Sequence, residues 1–229
     1  MKLIASTLAI AVLAITPAFG ANDPGSFGRT VKFLDVSSGP YALYAYRRDT
    51  SGCSAGMKCT QISLDTANTV NDTNVATITL PAFSARSLLC FSITPNASVT
   101  YRNWSPTTNQ ANVSFRINTI VQSTVFNNPA LIDPFTGLPL NGKIESAMTG
   151  FRESFPIAPN QLFTKTWAFS RECIGGMIST SMLQKMYGLS ALQAQAVFSN
   201  PITVSLSTQT DLQQVDDMTF QLNFRLFGD

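Results

Sequence analysis

Apolar and polar residues alternate without a break near the C-terminal end of the chain. Met218, Phe220, Leu222, Phe224 and Leu226 interleave with Thr219, Gln221, Asn223 and Arg225. Successive side chains of an extended strand point to opposite faces. This period of two therefore predicts a half-buried strand with its large apolar groups on one face. Shorter β-type runs at 30–36, 41–46, 60–64, 75–80, 162–169 and 202–208 predict further strands. A longer run at 112–126 carries Val113, Phe115 and Ile117 on one face. Residues 87–94 and 98–104 read as two strands on either side of a Pro95-Asn96 turn. Short strands separated by polar turns predict a mainly β fold, an antiparallel β-sandwich or a Greek-key barrel.

Two stretches depart from this period. Residues 127–143 hold Pro129, Pro134, Pro139, Gly137 and Gly142 and read as a long ordered loop. One or two short helices are expected near 177–199. Ile178, Met182 and Met186 recur every fourth residue, and Gly188 can end the first helix. Ser190 and Gln193 have capping-box spacing ahead of Leu192, Ala196 and Val197, and Asn200-Pro201 stops the second helix. No internal repeat or linker-like composition divides the chain.

The N-terminal end sets the expected compartment. Lys2 precedes an apolar run at 3–15, Thr16-Pro17 breaks it, and Ala18-Phe19-Gly20 places small residues where a signal peptidase reads. The expected organisation is a signal peptide at 1–20 and a single β-rich domain at 21–229, with no transmembrane segment after cleavage. The expected location is the periplasm, the outer surface or the extracellular space. Export makes disulfides the default state of the four cysteines. Cys53 and Cys59 bracket a short loop and are expected to pair locally, leaving Cys90 to pair with Cys173 across the fold.

Charge and chemistry narrow the function classes. Charged residues make up 12% of the chain, against about 25% in ordinary globular domains. The net charge is +2, falling to +1 with the loss of Lys2, which is no footprint for a nucleic-acid partner. The chain has no histidine. That excludes Ser-His-Asp and Cys-His systems and the HExxH zinc motif. No phosphate-cradling or nucleotide-binding glycine pattern is present, so neither a cofactor nor a metal is expected. Carboxylate chemistry needs only two acids about 5–10 Å apart. Glu145, Glu153 and Glu172 and the Asp216-Asp217 pair are the candidates, but no spacing singles any of them out, and ordinary solvated surface acids are the better account of them. The run from Asp211 to Asp217 lacks the EF-hand pattern and reads as an acidic turn. Tyr41, Tyr44, Tyr46, Tyr101 and Trp104 could form a binding face for a sugar or a protein, or pack as core and cross-strand pairs. Asn71, Asn96, Asn103 and Asn112 each begin an Asn-x-Ser/Thr triplet.

An exported, Ser/Thr/Asn-rich β domain ending in an alternating apolar strand, here from Met218 to Phe227, resembles bacterial fimbrial subunits and tip adhesins. Gly228 stands where the chaperone–usher pilins carry an aromatic residue. The function expected from the chain is that of an exported, non-enzymatic envelope or extracellular β-domain protein in a structural, adhesive or binding role. Compatible partners are other envelope or surface proteins, a glycan or further copies of the chain. The alternatives are a secreted carboxylate-dependent glycan hydrolase and a membrane-active secreted β protein.

The leader reading has a direct check. Protein purified from its native host should begin at Ala21 by intact-mass measurement. A mature chain that retains residues 1–20 would remove the basis for export.

Overall fold

The computed structural model of the 229-residue chain describes residues 31–37, 42–168, 170–172 and 178–229. The leader and its cleavage site, Tyr41 and Cys173 therefore lie outside the described residues. The strands in chain order are β1 (Lys32–Val36), β2 (Ala42–Arg47), β3 (Lys58–Gln61), β4 (Asn68–Leu80), β5 (Leu88–Arg102), β6 (Asn109–Gln122), β7 (Lys143–Ile157), β8 (Leu162–Ala168), β9 (Arg171–Glu172), β10 (Ile178–Ser179), β11 (Ile202–Gln213) and β12 (Val215–Gly228). A 3₁₀ turn spans Thr124–Asn127, and the helices among the described residues are α1 (Thr180–Tyr187) and α2 (Ala191–Ser199).

The strands form two sheets packed face to face, so the predicted β-sandwich is the fold. One sheet runs β4-β11-β6-β7. The other is built around β12 and β5, which pair from Val215 opposite Tyr101 to Gly228 opposite Leu89. The far side of β12 is shared: β2 pairs with its first half and β1 with its second. β8, β9 and β10 line up along the far side of β5. The pairing is antiparallel except between β2 and β3, which run parallel.

The register of β12 is the one its sequence requires. Met218, Phe220, Leu222, Phe224 and Leu226 are all buried, while Thr219, Gln221 and Asn223 are half-buried and Arg225 is exposed. Phe220 joins the two sheets. Its ring lies 5.0 Å from Phe115 of β6 and stacks on Tyr44 of β2 at 4.9 Å. Phe91 of β5 and Phe224 extend the same layer. Polar links close the flank between β2 and β4: buried Asp72 accepts from the Tyr46 hydroxyl at 2.7 Å and from the Lys58 ammonium.

Three local expectations are corrected. Pro95 does not turn the chain; β5 runs straight through it. On its far side β5 pairs with β9 at Ser92 and Ile93 and with β8 from Asn96 to Arg102. Pro95 falls in the gap between them, where its missing N–H breaks no ladder. The two helices form as expected, with Gly188 left-handed after the first and the Ser190–Gln193 capping box on the second. Ile178, however, belongs to β10, opposite Leu89. The helical count starts after Ser179, and Leu183 and Tyr187 are buried where Met182 and Met186 had been expected. The acidic turn shrinks to Gln214, at φ 55°, between β11 and β12. Asp216 and Asp217 are strand residues held by arginines: Arg47 to Asp217 at 2.7 Å, and Arg48 and Arg102 to Asp216. Among the described residues no helix is long and apolar enough to cross a membrane, which says nothing of spanning by strands.

Truncating the centre of the β12 face tests the packing. Leu222→Ala should destabilise by about 2–5 kcal/mol. Gln221→Ala, on the opposite face, should cost no more than about half a kcal/mol. Urea unfolding with equal midpoints for the two variants would contradict this packing.

Candidate functional site

The sequence pattern predicts no strand over β7, which forms one edge of its sheet, with β4 at the other. β7 contains Ile144, Met148, Phe151, Phe155 and Ile157, but its alternation changes phase halfway. Ile117 of β6 faces Thr149 and the next residue, Asn118, faces Ala147, so Met148 is an extra residue bulged out of the ladder. Before the bulge the exposed positions are Lys143, Glu145 and Ala147; after it they are Gly150, Arg152, Ser154 and Pro156. Gly150 is required by close approach. A Cβ there would lie 2.2 Å from the Phe115 carbonyl oxygen and 3.1 Å from Arg116 Cα, both backbone atoms that cannot swing away.

β7 pairs with β6 on one side, and among the described residues no strand pairs with its other side. Among the described residues no strand takes the hydrogen bonds of this edge, and an unpaired edge is a template for a further strand. Beside its first half, a hollow of about 650 Å³ opens between Lys143, Glu145, Ser146 and Ala147 and the loop carrying Asp133, Phe135 and Leu138. Phe135 and Leu138 are exposed at its rim.

The second half of β7 is braced from within. Phe151 stacks on Trp167 of β8 at 4.4 Å, and Phe155 contacts Phe163 and Tyr101. Glu153 accepts from the Tyr101 hydroxyl at 3.2 Å and pairs with Lys165, whose ammonium sits 4.5 Å over the Phe155 ring. Burial, reinforced by the Glu153 charge, pushes the Tyr101 phenol far above its ordinary value. At the strand's end, buried Asn103 directs its Nδ2 to the carbonyls of Thr107, Ile157 and Ala158 and accepts on Oδ1 from Ser105 and Asn109.

The expected site residues are dispersed by this fold. Cys53 and Cys59 form a disulfide with a Cα–Cα distance of 6.5 Å. Cys90 is buried in β5, and its expected partner Cys173 lies outside the described residues. Glu145 and Glu153 share β7 but lie on different faces, one on the outer surface beside Lys143 and the other between the sheets beside Lys165. The Glu172 side chain lies outside the described residues. Tyr44 and Tyr46 pack against Phe220, Tyr101 is buried, and Trp104 is exposed with the Arg102 guanidinium 4.2 Å over its ring. Asn71 and Asn96 are exposed, Asn112 is half-buried and Asn103 is fully buried. Among the described residues no cluster of three or more Cys, Asp or Glu side chains is placed to hold a metal ion.

No protein-family model and no curated protein matches the chain. A chain in the crystal structure of the IBDV viral particle aligns at 11% identity over 72% of this chain, with a TM-score of 0.11. This chain spans 37% of that one's length, and a likeness this low carries no argument.

The bulge makes its own prediction. Gly150→Ala should destabilise the domain by about 1–3 kcal/mol, because the added methyl forces two backbones apart. Ser154→Ala, on the same exposed face, should stay within about 1 kcal/mol. Thermal unfolding of the two variants separates the outcomes, and an unshifted Gly150→Ala midpoint would deny the close approach.

Proposed function

We propose that the protein is an exported, non-enzymatic β-sandwich of the cell envelope or exterior, and that it holds another protein in a structural or adhesive role along the β7 edge. The observation that carries this reading is the edge itself, a 15-residue strand with one side unpaired among the described residues. Strand addition supplies affinity through main-chain hydrogen bonds and specificity through alternate side chains. The chemistry points the same way. The chain has no histidine, and Glu153, Asp216 and Asp217 are each engaged by a cation.

A hydrolase reading has one observation in its favour. Asp133 and Glu145 line the same hollow, although Glu145 already pairs with Lys143 at 3.4 Å.

Site-specific photocrosslinking in the native host tests the proposal. A photoreactive residue in place of Ala147, exposed on β7, should give adducts with an envelope or surface protein, identified by mass spectrometry. The same residue in place of Leu192, which is 84% exposed on α2, should give none. A chain retained in the cytoplasm, or one that forms no β7 adduct, would overturn the reading. So would polysaccharide hydrolysis that is abolished by Glu145→Gln.

A further inference from the structure

The geometry points to a second copy of this chain as the partner of β7, paired antiparallel across a two-fold axis at the Met148 bulge. This rests on the binding-edge reading above and names its occupant. In an antiparallel pair, residues directly opposite each other share a face. An unbroken strand laid along β7 could match its faces on one side of the bulge only. Past Met148 its covered side chains would meet exposed ones, because one extra residue reverses every following position. A strand with the same bulge does not have this conflict, and β7 is such a strand.

Of the registers that pair β7 across its bulge, only one keeps the faces matched throughout. It sets Lys143 opposite Ser154 of the second copy, Glu145 opposite Arg152 and Ala147 opposite Gly150, all exposed positions. Between them fall Ile144 opposite Glu153, Ser146 opposite Phe151 and Met148 opposite Thr149, all buried or half-buried. Moving the register by one or two residues brings exposed positions against covered ones near the bulge.

The charges agree with this register. Glu145 meets Arg152 of the second copy, and the two-fold repeats the pair. Arg152 is exposed and forms no ion pair among the described residues. It ends a row across the outer face that runs from Thr69 through Asp211 and Ser114, so an acid is lacking at the edge itself. Small residues, Ala147 and Gly150, fall next to the axis and leave space on the exposed face there. The hollow beside Lys143 and Glu145 leaves room for the incoming strand. The contact is isologous: the same patch serves both copies, and the assembly closes at two.

Sedimentation equilibrium of the purified chain, with thermal unfolding as a control, tests this. The chain should show a monomer–dimer equilibrium. Glu145→Arg and Arg152→Glu should each weaken it by about tenfold or more, because like charges then face each other twice. The double variant should recover the wild-type association to within about threefold, since the pairs are restored with their signs exchanged. Both positions are exposed, so folded stability should not change; if a reversal does disturb folding, Glu145→Gln and Arg152→Gln replace the single variants, each weakening association, and their combination should weaken it no further than either alone. A chain that stays monomeric at all concentrations would overturn the proposal, as would single variants that dimerise like the wild type or a double variant that fails to recover. A β7 photoadduct with a different protein, together with a monomeric chain, would overturn the second copy as partner and leave the binding edge standing. The absence of any β7 adduct would overturn both.

Discussion

The period of two along β12 is the constraint on which the rest of the fold depends. Its buried residues, from Met218 to Leu226, meet the inner faces of both sheets, and Phe220 touches rings from β2 and β6 at once. A slip of one residue would turn this face outward and bury Thr219, Gln221, Asn223 and Arg225 instead. Each large apolar side chain is worth roughly 1.5–3 kcal/mol on burial, so no local preference elsewhere competes with that register. β5, β2 and β1 then take their places from β12, and β8, β9 and β10 take theirs from β5.

How much of this could be read from the sequence depended on whether the pattern stayed in phase. Past a bulge at Asp216, β12 keeps phase from Met218 to Leu226, and its two faces were legible there. The capping box at Ser190 and the left-handed Gly188 were legible because a single side chain or a single φ sets them. β7 was not legible. Its apolar residues run Ile144, Met148, then Phe151, Phe155 and Ile157, and the bulge hides the alternation from any reading that assumes one period. The break at Gly150 carried the signal in retrospect, since an isolated glycine inside a strand marks a bulge or a close approach. Pro95 misled in the opposite sense, because whether proline ends a strand depends on which neighbours that strand acquires. Those neighbours, β8 and β9, lie more than sixty residues downstream.

Polar groups do different work at the two flanks of the sandwich. On the β2–β4 side Asp72 is buried, and the Tyr46 hydroxyl and the Lys58 ammonium satisfy it from within. A polar cross-link ties the two sheets together there, with an acid that would be costly to leave unpaired. On the β7–β8 side Glu153 and Lys165 stay half-exposed among aromatic rings. Among the described residues this flank is stiffened by ring contacts and an ion pair, with no further strand laid along it.

The place of β12 in the chain has a consequence for timing. It is central in its sheet, yet every other strand precedes it in sequence. Until residues 215–228 are present, β1 and β2 have nothing to pair with on that side, and β3 has only β2. Contacts that join the two ends of a chain form late, because closing so large a loop costs entropy before any packing is gained. A nascent chain would therefore hold these early strands without their neighbour until β12 has been made. The arrangement that fixes the finished register also makes the first strands of that sheet wait for β12.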